Sequence, residues 1–307
     1  MKHIVFMGTP EIAAVSLRYL VENNFSIPLV ITQPDKPKGR GKSLAFSPVK
    51  EYALSIGLNV YQPEKVKNND DVIRILKDIN PDFFAVVAYG KILPQEVLDI
   101  PKYAPINVHF SLLPKYRGPA PVNWAVMNGE VETGVNTMLM DAGMDTGDIL
   151  LEEKTLIGSK NAEELAIELS VTGAKLLIKT INQFETITPK KQDHEKATRA
   201  PMMNKEMGLI DWNKSALEIE RMTRAFIPWP AAYSKIGDKT LKIYKARVIN
   251  DKTGPAGTVI DVSKNDFTIA TGKDAIIVEE LQLEGKKRMD TKSFLTGFNI
   301  NIGDTIG

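Results

Sequence analysis

The run Ile106-Asn107-Val-His109-Phe110-Ser111-Leu112-Leu113-Pro114-Lys-Tyr-Arg117-Gly-Pro-Ala120 begins as an apolar stretch and breaks into a loop punctuated by proline and glycine. Residues 106–110 read as a buried strand, and side chains alternate faces along a strand, so Asn107 and His109 point to the same side. An amide and an imidazole then share one face at a strand end, where open α/β sheets place ligands. A lone histidine in such a place is by default structural, satisfied by its neighbours. Here, among only three histidines, His109 has Asn107 two residues before it and Ser111 two after it. An acidic glycine loop, Met140-Asp-Ala-Gly-Met-Asp145-Thr-Gly147, follows downstream. Amide, imidazole and carboxylate together suit acyl-type transfer through a tetrahedral intermediate, as oxyanion donor, proton shuttle and orienting acid.

Working outward, short apolar runs alternate with amphipathic stretches through the first two-thirds of the chain. Residues 4–7 read as a buried strand ending at Gly8. Thr9 is placed to cap a helix starting at Pro10, with an apolar face that includes Ile12, Val15 and Leu20. Residues 27–31 form the next strand, and a polar loop runs from 33 to 43. Ser47-Pro48 opens a helix closed by Gly57, and strands follow at 59–62 and 83–88. Strands alternating with helices imply a parallel sheet with right-handed crossovers. Beyond the proline loop the pattern predicts a short helix over 121–128 and strands over 134–141 and 148–156. A long amphipathic helix over 161–184 carries Leu165, Leu169, Leu176 and Phe184 on one side and closes the domain against the sheet.

From about 187 to 205 the pattern gives way to a polar, lysine-rich segment that reads as a linker. Ser215-Ala-Leu-Glu218 is a capping box opening one helix. Short alternating runs at 231–236, 239–249, 257–262, 267–271 and 275–283 follow, separated by turn residues, and suggest a small OB-like β-barrel. The expected fold class is therefore α/β, a Rossmann-like parallel-sheet domain followed by an OB-like barrel. The domain bounds are 1–188, a basic linker at 189–205, and 206–307.

At 307 residues the chain is long enough for two domains. A net charge of +1 gives no global argument for a polyanionic partner. The absence of cysteine excludes disulfides, thiolate nucleophiles and thiolate metal sites. No signal peptide or membrane span is evident, so the chain reads as cytoplasmic. Gly8-Thr9-Pro10 sits where a doubly wound fold binds phosphate. It lacks the further glycines of a dinucleotide fingerprint and reads better as a tight turn. Asp145-Thr-Gly147 is the aspartic-protease triplet, but those enzymes need two facing copies. Basic residues cluster in three places. One is the loop Gln33-Pro-Asp-Lys36-Pro-Lys38-Gly-Arg40-Gly-Lys42; another is the linker, with Lys190, Lys191, Lys196, Arg199 and Lys205. The third lies on the barrel, at Lys235, Lys239, Lys242, Lys245 and Arg247. Such runs are usually solvated surface, but one nucleic-acid-facing side could unite them.

These residues resemble the methionyl-tRNA formyltransferase family over nearly the whole chain. The wider folate-dependent formyltransferase pattern is carried by Asn107-x-His109, by Ser111-Leu-Leu-Pro114-x-x-Arg117-Gly-Pro-Ala-Pro, and by Met140-x-x-Gly-x-Asp145-Thr-Gly147. Two segments narrow it to the tRNA enzyme. They are Thr32-Gln-Pro-Asp-Lys-Pro-x-Gly-Arg40-Gly-Lys42 with Ser47-Pro-Val-Lys50, and Arg224-Ala-Phe-x-Pro-Trp229-Pro230-Ala. The resemblance implies transfer of formyl from 10-formyltetrahydrofolate to the α-amino group of methionine on initiator tRNA, directly and without a metal. It gives Asn107 the oxyanion, His109 the proton transfers, and Asp145 support of the imidazolium. It places the folate against Tyr89, Gly90, Ile92 and Leu93, against Ser111, Leu112, Leu113 and Pro114, and against Met140. The tRNA would meet Lys36, Lys38, Arg40 and Lys42, with Lys190 and Lys191 in the linker. It also implies a monomer. The family commonly has glycine after the histidine where this chain has Phe110, whose ring must turn to the other face of the sheet or narrow the pocket.

Two alternatives stand beside this reading. A formyltransferase of the same fold acting on a sugar nucleotide or purine precursor would not call for the Arg40 loop or the barrel. A non-catalytic tRNA-binding module would not call for Asn107, His109 and Asp145.

Overall fold

The structure, a computed structural model, describes residues 1–38 and 43–307. The described chain forms two compact units, and each takes in more than one stretch of sequence. The first comprises residues 1–121, 132–156 and 166–201; the second comprises 122–131, 157–165 and 202–307.

The first unit is built on a seven-stranded sheet. Its strands are β1 (His3–Gly8), β2 (Ser26–Ile31), β5 (Val60–Tyr61), β6 (Phe83–Val87), β7 (Ala104–His109), β8 (Glu132–Leu139) and β9 (Ile149–Leu156), in the order β5-β2-β1-β6-β7-β8-β9. The first five are mutually parallel, and β6, between β1 and β7, is apolar and buried along its whole length, as a strand covered on both faces must be. β8 runs antiparallel to both of its neighbours, β7 and β9, so the sheet is mixed rather than wholly parallel. Apolar runs mark a strand but carry no sign of its direction, which explains that departure. One face packs Val5, Met7, Leu29, Ile31, Phe84 and Val86 against Val72 and Leu76 of α3 (Asp70–Ile79).

The chain leaves β1, builds outward to β2 and β5, then returns to lay β6 on the other side of β1. This reversal is the switch point at which such sheets open a crevice. The loops after β1 and β6 lie side by side there, and the Thr9 hydroxyl donates to the Tyr89 carbonyl at 3.2 Å. Thr9 therefore does not cap α1 (Glu11–Glu22), whose cap position is Pro10 without a side-chain bond. The buried face of α1 is Ala13, Ala14, Ser16, Leu17 and Leu20, while Ile12 and Val15 are half-buried. A small residue is required at Ala13, the point of closest approach to β1. A β-carbon on Gly8 would sit 2.7 Å from that of Ala13 and 2.9 Å from the Val87 carbonyl, so helix and sheet approach too closely for bulk. Gly8 thus serves a tight βα turn.

The polar 33–43 stretch contains short strands, β3 (Lys36–Lys38) and β4 (Ser43–Ala45), paired antiparallel. Nothing in Lys-Pro-Lys or Ser-Leu-Ala alternates in a way that marks a strand. Ser47 caps α2 (Pro48–Ser55) through the Lys50 N–H, as its Ser-Pro signal predicts. The long helix α6 (Ala162–Gln183) is capped reciprocally by Asn161 and Glu164.

In the second unit, α7 (Ala216–Ala225) opens with the predicted capping box of Ser215 and Glu218. The Asn123 amide of α5 (Pro121–Met127) closes its other end by donating to the Ala225 carbonyl at 2.7 Å. Strands β10 (Ala232–Ile236), β11 (Lys239–Ile249), β12 (Val259–Val262), β13 (Phe267–Ala270) and β14 (Ala275–Leu283) form an antiparallel sheet in the order β10-β11-β14-β13-β12. A short β15 (Met289–Asp290) pairs with β14 and leads into α8 (Thr291–Leu295). The C-terminus bridges the two edges, Ile306 to Ile236 and Thr305 to Thr258, which gives the unit its barrel-like closure.

Candidate active site

Strand β7 sorts its side chains by parity. Val108 and Phe110 pack against α6, where Gly173 leaves a notch: a β-carbon there would lie 2.9 Å from Val108 Cγ1 and 3.3 Å from Phe110 Cε1. Phe110 is buried against this helix, so its ring lies on the face of the strand away from the cavity. Asn107 and His109 face the other side.

His109 is buried, and its Nε2 lies 2.9 Å from the Tyr116 carbonyl. A carbonyl only accepts, so Nε2 carries the hydrogen and Nδ1 is the nitrogen left to exchange protons. Nδ1 faces Asp145 Oδ1 at 3.7 Å, beyond direct hydrogen-bond length. Asp145 is held from its other oxygen, where Oδ2 accepts the Gly118 N–H at 2.8 Å. Residues 116–118 thus hold the histidine by a carbonyl and the aspartate by an amide.

The loop that presents Asp145 is turned by its own side chains. Asp141 Oδ1 accepts from the Gly143 N–H at 3.0 Å and from the Thr146 hydroxyl at 2.6 Å. Gly147 is obligatory, because a β-carbon there would fall 1.8 Å from the Leu139 carbonyl. Asp145 itself has φ of 54°, a left-handed backbone uncommon for a residue with a side chain.

A cavity opens between this loop and the loop after β6. It is lined by Lys91, Ile92, Leu93, Asn107, Met138, Met140 and residues 141–145. Its walls are largely apolar, and the Asn107 amide makes no side-chain hydrogen bond among the described residues. Of the folate-side residues read from the sequence, Ile92, Leu93 and Met140 line this space. Tyr89 and Gly90 do not. Tyr89 is buried in the core behind the loop, its phenol pushed up to about 12 by burial, and its carbonyl receives Thr9 and the Gln33 amide. Ser111 to Pro114 also lie outside the lining. The Ser111 hydroxyl donates to the Lys115 carbonyl, and Leu113 packs on Met138 and Ile149 behind the cavity wall. The Leu113 N–H donates to Asn136, fixing the start of that loop.

Lys190 and Lys191 are exposed on a segment whose backbone pairs with β9 through Ile149. Lys36 is exposed on β3, and Lys38 belongs to the same strand. Arg40 and Lys42 lie outside the described residues. Lys91 lines the cavity within the 88–93 loop expected to meet the folate, whereas two participants were not anticipated from sequence: Met138 in the lining, and Gln192, whose buried amide donates to the Asp145 and Gly147 carbonyls at 2.9 and 2.7 Å. Met138 is two residues from Met140, so spacing could have found it. Gln192 sits in a polar stretch with no periodic signal.

A mixed α/β sheet presenting amide, imidazole and carboxylate beside an apolar cavity matches one class: the family profile described as Formyl transferase covers residues 1–181, and Formyl transferase, C-terminal domain covers 202–299. The chain is 52% identical to a methionyl-tRNA formyltransferase from Clostridium novyi, over 97% of this chain and 98% of that one. It is 47% identical to another from Caldanaerobacter subterraneus, over 98% of each. The chain belongs to the methionyl-tRNA formyltransferase family. Its fold is also that of the N-formyltransferase from Helicobacter canadensis, solved with folinic acid and dTDP-3-aminofucose. The TM-score is 0.67 at 23% identity, over 94% of this chain and all of the other (100%).

Proposed function

We propose that the protein transfers the formyl group of 10-formyltetrahydrofolate to the α-amino group of methionine on initiator Met-tRNA, by direct attack through a tetrahedral intermediate. The observation that carries this is one cavity lined by both Asn107, whose amide has no side-chain partner among the described residues, and Asp145, with His109 buried behind the lining and its Nδ1 turned toward that carboxylate. The neutral amine attacks the formyl carbon, and the carbonyl electrons move onto oxygen. Asn107 Nδ2 donates to that oxyanion, the interaction usually worth most in such reactions. The proton released by the new C–N bond passes to His109 Nδ1. It is then delivered to N10 of the folate as the C–N10 bond breaks, giving N-formylmethionyl-tRNA and tetrahydrofolate. Asp145 attracts the positive charge that the ring carries between these steps.

The apolar lining from Ile92, Leu93, Met138 and Met140 suits the flat pterin, and the backbone of residues 88–93 and 139–144 offers its polar edge groups to pair with. On this reading Ser111, Leu112, Leu113 and Pro114 shape the folate side from behind Met138, and Tyr89 and Gly90 set the loop that carries Ile92. The tRNA is held by Lys36, Lys38, Arg40 and Lys42 and by Lys190 and Lys191, through phosphate contacts that weaken with salt. The protein works as a cytoplasmic monomer, in domains spanning 1–188 and 206–307 joined at 189–205.

The test is transfer of labelled formyl from 10-formyltetrahydrofolate to charged initiator and elongator methionine tRNA. Transfer favouring the initiator is expected. No transfer to either tRNA overturns the function, and equal transfer to both removes the initiator selectivity.

A further inference from the structure

We propose that Gln192 is a positioning residue for this reaction, setting Asp145 against His109 from a strap that crosses behind the site. The inference rests on the function proposed above and adds to it a residue, and a segment, that the chemistry alone does not name.

The strap comprises residues 190–200. Its start is fixed to the sheet by two backbone bonds between Lys190 and Ile149, each 2.8 Å. Two residues on, the Gln192 side chain turns inward and is buried. Both of its N–H donors are used on one short piece of chain, the carbonyls of Asp145 and Gly147. Its oxygen accepts from Arg117 Nε at 3.1 Å and from Nη2 at 2.6 Å. The amide therefore has one workable orientation. Reversed, it would set its oxygen against two carbonyls and its N–H groups against a guanidinium.

The arrangement closes on itself. The Arg117 backbone pairs with the strap's other end, its N–H to the Thr198 carbonyl at 2.9 Å and its carbonyl to the Ala200 N–H at 2.7 Å. The Tyr116 N–H donates to the Thr198 hydroxyl. On either side of Arg117, the Tyr116 carbonyl holds His109 Nε2 and the Gly118 N–H holds Asp145 Oδ2. Gln192 completes this ring at Asp145, whose left-handed backbone persists only where its surroundings impose it. A glutamine merely filling space would not spend both donors on carbonyls that bracket the reacting carboxylate. Loss of these two bonds leaves His109 in place and frees the Asp145 loop alone.

The test uses the full-length protein in single-turnover formyl transfer at saturating donor and charged tRNA. Gln192→Met keeps the length and removes every bond. Gln192→Glu keeps acceptors for Arg117 but has no donors for Asp145 and Gly147, and it serves if the methionine variant does not fold. Either variant is expected to lose about 10- to 100-fold in turnover, the scale of a misplaced catalytic group, with KM for both substrates essentially unchanged. In an Asp145→Asn background the same substitution is expected to cost about twofold or less, because its effect runs through Asp145. The proposal is overturned by parental turnover in a folded variant, by a loss confined to KM, or by a loss of equal size with and without the Asp145 carboxylate. Transfer by the parent protein in the same assay keeps these outcomes separate from a failure of the proposed function.

Discussion

Two asparagines on neighbouring strands should separate catalysis from stability. Asn107 and Asn136 both lie on the β7–β8 pair, yet their amides are used differently. Asn136 is fully buried (0% exposed), accepts the Leu113 N–H at 2.7 Å and donates to Glu152 at 3.2 Å. Asn136→Ala orphans a buried backbone donor, which costs about 1–3 kcal/mol. Taking about 2 kcal/mol, the unfolding midpoint of a unit this size should fall by roughly 4–8 °C. Asn107 is half-buried, faces the cavity, and has no side-chain partner among the described residues, so Asn107→Ala orphans nothing. Its stability effect should stay within about 0.5 kcal/mol. Its turnover should fall by about 100- to 1,000-fold, the usual cost of losing one oxyanion donor. The assay pairs calorimetric unfolding with single-turnover formyl transfer on both variants. If Asn107→Ala loses as much stability as Asn136→Ala, or keeps near-parental turnover, the amide is structural and the oxyanion reasoning is wrong.

Gly173→Ala should destabilise the protein although alanine is the better helix former. The gain in helix propensity is about 1 kcal/mol, but the new β-carbon would lie 2.9 Å from Val108 and 3.3 Å from Phe110 and Val135. Overpacking of that kind costs about 1–3 kcal/mol, so a net loss of about 1 kcal/mol is expected in denaturant unfolding; a raised midpoint would contradict the packing argument. Asp35 is held below its ordinary value, first by the Gln62 amide and then by Lys50. A depressed carboxyl contributes stability above its unfolded value, lost as pH falls through the folded one. Parent and Asp35→Asn should therefore differ in unfolding midpoint at pH 7, and the difference should begin to shrink as pH falls below about 4. A difference that does not shrink at all between about pH 4 and pH 2 would place the effect elsewhere.

Much of this was legible because burial writes itself into pattern. The apolar runs at 83–88 and 106–110 and the alternating runs from 231 to 283 locate strands to within a residue or two of where they lie. The parity of β7 sends Asn107 and His109 one way and Val108 and Phe110 the other, as alternation requires. What was not legible depends on partners distant in sequence. Val135 looks the same in a parallel or an antiparallel strand, so the reversal of β8 had no local sign. In α1 the expected face of Ile12, Val15 and Leu20 holds at Leu20, but the buried side also takes in Ala13, which lies against Gly8 where a larger side chain would not fit. Thr9 had the chemistry of a cap, but its hydroxyl donates to the carbonyl of Tyr89, 80 residues away. Gln192 lies in a stretch that composition marks as linker, and only the folded chain shows its amide at the Asp145 loop.

The central claim is that His109, oriented by Tyr116 and facing Asp145, moves the protons of formyl transfer. Its most direct test is single-turnover transfer by His109→Ala at saturating donor and charged initiator tRNA, with binding of both substrates measured separately. Near-parental affinities are expected, with a rate lowered by about 100- to 10,000-fold, the contribution of a positioned proton shuttle. A folded His109→Ala protein that transfers formyl at the parental rate would contradict it.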